Sequence, residues 1–258
     1  MACDSRGIGT ITGPAGIGKT ESLRAARIMR PNSIYHRVLS TERSCLGLIR
    51  ALARHVGVSM HRSISVTQTA IIDRLTGSDR ALLIDEAQKL EHRALEVLRD
   101  INDCAGVPVV LVGTVNVKAL VDDTGANFGQ FSSRIVARYD AAEDIARQST
   151  RPGGRTARPA QLFSAEEIVQ MFEGSQLRLA DDAVGMLTTV ANALGHGSLR
   201  LVAKLVSIAS MHQRVKAKGE IDRGILVAIL RQFYGDAYVE CISERSEQLG
   251  GERLALTA

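Results

Sequence analysis

The chain has 258 residues, with 32 Lys and Arg against 28 Asp and Glu, a formal charge of +4 and a sequence pI near 9.0. That length holds one large domain, or a medium one with a small companion, around a sizeable core. No run approaches the roughly 20 consecutive apolar residues of a membrane helix, and the start MACDSRGIG lacks the charged-then-apolar pattern of a leader, so a cytoplasmic protein is expected.

From Gly7 to Asp140 short apolar runs alternate with longer amphipathic stretches, the pattern of a parallel sheet with crossover helices. Strands are predicted at residues 8–12, 33–39, 81–85, 107–112 and 135–139. Helices are predicted at about 44–56 and 66–76, and a further one carries Leu90, Ala94, Val97, Leu98 and Ile101 on a single face. An α/β domain is therefore expected over residues 1–147. Residues 148–161 (QSTRPGGRTARPAQ) have Pro, Gly and Arg but no apolar periodicity, and read as a linker.

Residues 162–235 read as a small all-helical domain. Ser164 with Glu167 has capping-box spacing, and Ala183, Met186, Leu187, Val190, Ala191 and Leu194 trace a helical stripe. Gly195-His196-Gly197 breaks the chain; Ser198 caps a helix carrying Leu199, Val202, Ala203, Val206 and Ala209, and Asp222 caps another reaching about Tyr234. The polar residues 236–258 are expected to form a partly disordered tail. The four cysteines, Cys3, Cys45, Cys104 and Cys241, stand far apart without a C-x-x-C pair, which argues against a zinc site and a disulfide framework.

The strongest chemical signal is Gly13-Pro14-Ala15-Gly16-Ile17-Gly18-Lys19-Thr20, which fits G-x-x-x-x-G-K-[ST] between a predicted strand and a predicted helix. Glycines let the backbone wrap a phosphate, and the free N–H groups opening the helix, through Glu21, face its negative charge. Lys19 is expected to reach the β and γ phosphates of ATP, and the Thr20 hydroxyl to ligate Mg2+, a cation that prefers hard oxygen donors. A second element supports this: the apolar run Ala81-Leu82-Leu83-Ile84 ends in Asp85-Glu86, so two carboxylates emerge at the carboxyl edge of a buried strand. Asp85 is expected to hold the magnesium shell and Glu86 to polarise the attacking water. The next strand brings Thr114 and Asn116 to the same edge, and either one suits a γ-phosphate sensor.

Together, ITGPAGIGKT, ALLIDEAQKL, VVLVGTVN and FSSRIVARYD resemble the AAA+ ATPases of the MuB and TnsC DNA-transposition group, in order over Gly7 to Asp140 and more loosely beyond. The resemblance implies an AAA+ α/β domain followed by a helical lid. It also implies ATP hydrolysis, binding of double-stranded DNA in the ATP state, assembly into a ring or helical filament, and recruitment or stimulation of a transposase. On the same basis Arg134 falls where the family carries the finger that reaches a neighbour's ATP, and Arg200 where its lid carries sensor 2. The phosphate loop begins only a dozen residues from Met1, so an amino-terminal helix-turn-helix extension and the residues that cover adenine are expected to be missing. Three other readings share parts of the core: a helicase loader or origin-type DNA clamp, a secretion-associated ATPase, and a non-catalytic nucleotide switch.

A DNA track is expected between the second and third strands. Arg50 and Arg54 share a helix face, and the following loop supplies His61, Arg62, Ser63 and Thr67 with few acidic residues to oppose them. The chain has no Trp and only 3% aromatic residues, which points to phosphate contacts rather than stacked bases, with weak sequence preference. The alternative track is Arg147, Arg151, Arg155 and Arg158 of the linker.

Overall fold

A computed structural model describes residues 6–122, 129–141, 143, 162–175, 177–193 and 198–248. The chain divides into two compact units, Met1–Gly13 with Gly18–Ala142, and Pro14–Ile17 with Glu143–Ala258.

The first unit is built on a parallel sheet of β1 (Ile8–Thr12), β2 (Ile34–Arg37), β3 (Leu82–Asp85), β4 (Val109–Gly113) and β5 (Ile135–Asp140), in the order β2-β3-β4-β1-β5. Around it lie α1 (Lys19–Met29), α2 (Cys45–Val56), α3 (Ile64–Leu75), α4 (His92–Ala105), α5 (Asn116–Asp122) and the single turn α6 (Gly129–Ser132). The unbroken apolar runs of β3 and β4 follow from burial on both faces. Leu82, Ile84, Val109 and Leu111 enter a large core with Leu48, Leu52, Ile71 and Leu98 from α2, α3 and α4. Their neighbours Leu83, Val110 and Val112 pack on the other face with Leu23 of α1 and, partly buried, Ile11 and Tyr35.

That alternation positions the chemistry. Side chains switch face at each residue of a strand, so Asp85 shares the α1 face with Leu83. The register Tyr35↔Leu83 and Arg37↔Asp85 brings Tyr35 beside it on the next strand. Leu90, expected on the helix face of α4, lies ahead of that helix, closing the 3-10 turn Ala87–Lys89, and is nevertheless buried.

The second unit is mostly helical. Its helices span Ala165–Gln170, Asp181–Asn192, Leu199–Ser210, Gln213–Lys218, Arg223–Tyr234 and Asp236–Gln248. The caps read from sequence have partners: Ser164 Oγ accepts from Glu167 N–H at 3.2 Å, Ser198 Oγ from Leu201 N–H at 3.2 Å, and Asp222 Oδ1 from Ile225 N–H at 2.9 Å.

Three features differ from the sequence expectation. A short parallel pair, β6 (Arg178–Leu179) with β7 (Glu220–Ile221), interrupts the helices. Ala203 is exposed while the bulkier Leu201 and Leu205 are buried, because the stripe that reaches the core is the one with more apolar surface to remove from water. The expected tail forms the helix Asp236–Gln248, whose Val239 and Ile242, three residues apart, are fully buried in the second core. The linker 148–161, Leu194 with Gly195-His196-Gly197, and residues 249–258 lie outside the described residues.

Candidate functional site

The loop between β1 and α1 is shaped by its glycines. Gly16 has φ +82° and Gly18 has φ +93°, in the left-handed region that a Cβ makes costly. The second of these turns the chain directly into α1, so the helix opens at Lys19 with its first N–H groups directed back at the loop. Lys19 Nζ donates to the carbonyl of Gly13 at 2.9 Å, folding the ammonium over the loop it closes.

Thr20 Oγ1 donates to Asp85 Oδ2 at 2.8 Å, joining residues 65 apart in the chain. Tyr35 Oη donates to the same oxygen at 3.0 Å, while the other, Oδ1, accepts from the N–H of Glu86 at 2.9 Å. Asp85 is only 2% exposed, so these three donors replace the water its carboxylate gives up. Burial, followed by the hydrogen bond to Asp85, pushes the Tyr35 phenol up to about 12. One hydroxyl and one carboxylate at this spot are hard oxygen donors of the kind that would suit Mg2+.

Glu86 follows in a left-handed conformation, φ 59° and ψ 34°, uncommon for a residue with a side chain. The kink lifts its carboxylate off the strand and leaves it partly exposed. Gln88 Nε2 donates to its Oε2 at 2.9 Å, and two cations stand near, Arg37 at 3.6 Å from Oε1 and Lys89 at 3.6 Å from Oε2. Gln88 also reaches β4: its Oε1 accepts from the Thr114 N–H at 3.2 Å.

Thr114 and Asn116 are set apart by their surroundings. Thr114 follows the last residue of β4, and its Oγ1 is buried without a hydrogen-bond partner among the described residues. Asn116 is exposed and opens α5. Arg134 is 44% exposed and its Nε lies 3.0 Å from Asp103 Oδ1, with Nη1 donating to Ser133 Oγ at 3.0 Å. Arg200 is exposed in the first turn of the helix Leu199–Ser210.

Of the DNA-track residues, Arg50 and Arg54 on α2 and His61, Arg62 and Ser63 in the loop are exposed. Thr67 is a correction: it is 0% exposed, and its hydroxyl accepts from the His61 N–H at 3.0 Å and donates to the Ser63 carbonyl at 3.2 Å. Its apolar neighbours Ile71 and Leu75 draw that face of α3 inward, so Thr67 closes the loop from inside. The linker arginines Arg147, Arg151, Arg155 and Arg158 lie outside the described residues.

Sequence reasoning passed over Tyr35, Arg37 and Gln88. Gln88 stood in the string ALLIDEAQKL, but its partner Thr114 is 26 residues away and no spacing rule links them. Tyr35 and Arg37 are recognisable only from the register of β2 on β3.

Residues 3–121 match the model of an AAA domain. The chain is 31% identical over 112 residues to the Mu-like prophage FluMu DNA transposition protein B of Haemophilus influenzae, covering 43% of this chain and 39% of that protein. It is 30% identical over 136 residues to the ATP-dependent target DNA activator B of Escherichia phage Mu, covering 51% of this chain and 43% of that one. The alignments thus span less than half of each relative. Among solved structures, the RuvB Holliday junction branch migration motor of Thermotoga maritima aligns over 97% of this chain and 76% of its own, with a TM-score of 0.55 at 15% identity. The Aeropyrum pernix ORC2 protein aligns over 89% and 63%, with a TM-score of 0.59 at 14% identity. At such identities these likenesses speak for the fold alone.

Proposed function

We propose that this chain is an AAA+ ATPase of the group that includes Mu transposition protein B, and that it acts as an ATP-dependent, DNA-binding regulator of transposition; the matched AAA domain and the Mu relatives support this reading. On this reading it assembles on double-stranded DNA in its ATP state as a ring or helical filament, marks the target site, and recruits or stimulates a transposase in the cytoplasm.

The observation that carries the nucleotide half is the meeting of Thr20 with Asp85 at 2.8 Å beside Lys19. Residues Gly13 to Glu21 cradle the phosphates, Lys19 faces the β and γ groups, and Thr20 and Asp85 hold Mg2+. The cation, when bound, neutralises charge developing on the β and γ oxygens. Glu86 takes a proton from water as the water oxygen bonds to the γ phosphorus. The bond from that phosphorus to the bridging oxygen breaks, the electron pair leaves with ADP, and phosphate is released. Thr114, with its buried, unpartnered hydroxyl, is the better γ-phosphate sensor than the exposed Asn116. Arg134 serves a neighbouring subunit's site and Arg200 its own.

DNA lies along Arg50, Arg54, His61, Arg62 and Ser63, gripped through phosphates. The Mu relatives, at about 30% identity, favour transposition over a helicase loader or origin-type clamp, whose likeness is one of fold. Phosphate release measured with and without duplex DNA tests the proposal. Turnover that depends on Glu86 and changes with DNA is expected; a wild-type protein that releases no phosphate in either condition overturns it.

A further inference from the structure

The chain leaves β3 through Asp85 and turns sharply at Glu86, and the 3-10 turn Ala87–Lys89 then directs Gln88 toward the end of β4. The side-chain amide uses both ends there. Its oxygen accepts from the backbone N–H of Thr114 at 3.2 Å and its nitrogen donates to Glu86 Oε2 at 2.9 Å. Only this orientation works: reversed, the amide would set an oxygen against a carboxylate and a donor against a donor. The space for it is made by a missing side chain. A Cβ on Gly113 would collide with Gln88 Oε1 and would come within 2.7 Å of Val117 Cγ2.

We propose that Gln88 is a positioning residue that holds the Glu86 carboxylate in its hydrolytic orientation and ties it to the peptide of Thr114. The inference rests on the reading of Glu86 as the group that activates water. Arg37 and Lys89, both 3.6 Å from Glu86, attract the carboxylate as point charges, whereas the planar amide of Gln88 fixes one oxygen in a direction. Glu86 sits on a turn at the strand's end and needs such a fixed partner, since an ångström of drift in a base costs a large part of its rate. The link also runs the other way. Thr114 offers its unpartnered hydroxyl at the same edge, and its peptide N–H is held by Gln88, so a phosphate drawn to that hydroxyl adjusts the amide that orients Glu86.

The test is a double-mutant cycle with Gln88→Met, which keeps length and volume but neither hydrogen bond, and Glu86→Gln, with Gln88→Glu as a second variant that keeps the acceptor for Thr114 and loses the donor to Glu86. Single-turnover hydrolysis, ATP Kd by direct titration and the urea midpoint are measured for each. Both Gln88 variants are expected to lower kcat on the order of 10- to 100-fold while ATP Kd and the urea midpoint stay put. Adding Gln88→Met to Glu86→Gln is expected to cost nothing more, because the group being positioned is already gone. A Gln88→Met protein with wild-type kcat, a loss that falls on Kd, or a full additional loss in the Glu86→Gln background would overturn the inference. If instead wild type and Glu86→Gln turn over alike, the reading of Glu86 itself falls.

Discussion

Thr20 Oγ1 donates to Asp85 Oδ2 at 2.8 Å, so the hydroxyl at the start of α1 and the carboxylate at the end of β3 converge on one point although 65 residues separate them. On the proposed function these two hard oxygens, beside Lys19, would hold a divalent cation bound jointly with nucleotide. Chelating Mg2+ is expected to weaken ATP binding by the wild-type protein by on the order of tenfold, and the same treatment is expected to change much less in Asp85→Asn. Titration of ATP with and without EDTA measures this; a wild-type affinity indifferent to EDTA would sink the assignment of Thr20 and Asp85.

Lys19 closes the loop on the Gly13 carbonyl and is proposed to face the β and γ phosphates. Lys19→Ala removes a charge-assisted contact of about 1.5–3 kcal/mol, so ATP affinity is expected to drop at least about tenfold. Retention of wild-type affinity in the same titration would remove the loop from the nucleotide site.

Glu86→Gln keeps the side chain's shape and loses the base. Turnover is expected to fall by about 10²–10⁴-fold with ATP still bound. In a protein that lets go of DNA on hydrolysis, this variant holds duplex DNA longer; a complex that decays as fast as wild type would count against hydrolysis as the release step.

The exposed Arg54 and Arg62 are assigned to phosphates. Replacing both by alanine is expected to flatten the plot of log affinity against log salt by roughly one unit per lost contact. ATP binding measured without DNA stays as it was. An unchanged slope would move the track elsewhere on the protein.

His36 on β2 and His55 on α2 lie with Nδ1 and Nε2 3.4 Å apart. His36 Nε2 is 3.3 Å from Glu42 Oε2, within ion-pair range but not aligned for a hydrogen bond. Burial of His36, and partial desolvation of the more exposed His55, lower both imidazoles from the ordinary 6.5, against the pull of Glu42; Arg54 adds to the lowering at both, with His55 also acting on His36 and Arg27 on His55. The folded protein thus favours neutral rings. Their stabilising effect is complete above the unfolded value of 6.5 and is lost as the pH falls through the folded values, because the unfolded chain takes up protons first. Urea midpoints are expected to fall below pH 6.5 and to fall less steeply in His36→Gln/His55→Gln. Parallel pH curves for the two proteins would rule the pair out as a source of acid sensitivity.

The conformation of the loop between β1 and α1 was legible in the sequence because its pattern is local: glycines at left-handed positions, a lysine and a hydroxyl all lie within one turn that ends in a helix. The central strands β3 and β4 were legible because burial on both faces writes them as apolar runs, Leu82-Leu83-Ile84 and Val109-Val110-Leu111-Val112. What lay beyond reach depends on which face or which neighbour a residue meets across the fold. Thr67 has the composition of a phosphate ligand, yet the inward face of α3 buries it. Val239 and Ile242 look like scattered apolar residues in a polar tail until a second core receives them. Gln88 becomes a partner of Glu86 and Thr114 only after β3 and β4 align in parallel, Asp85 against Val112, and carry both chain ends to one edge. Local conformational preference determines the loop and the strands; the pairing of strands distant in sequence determines who touches Glu86, because hydrogen bonds form between neighbours in space and chain spacing does not record them.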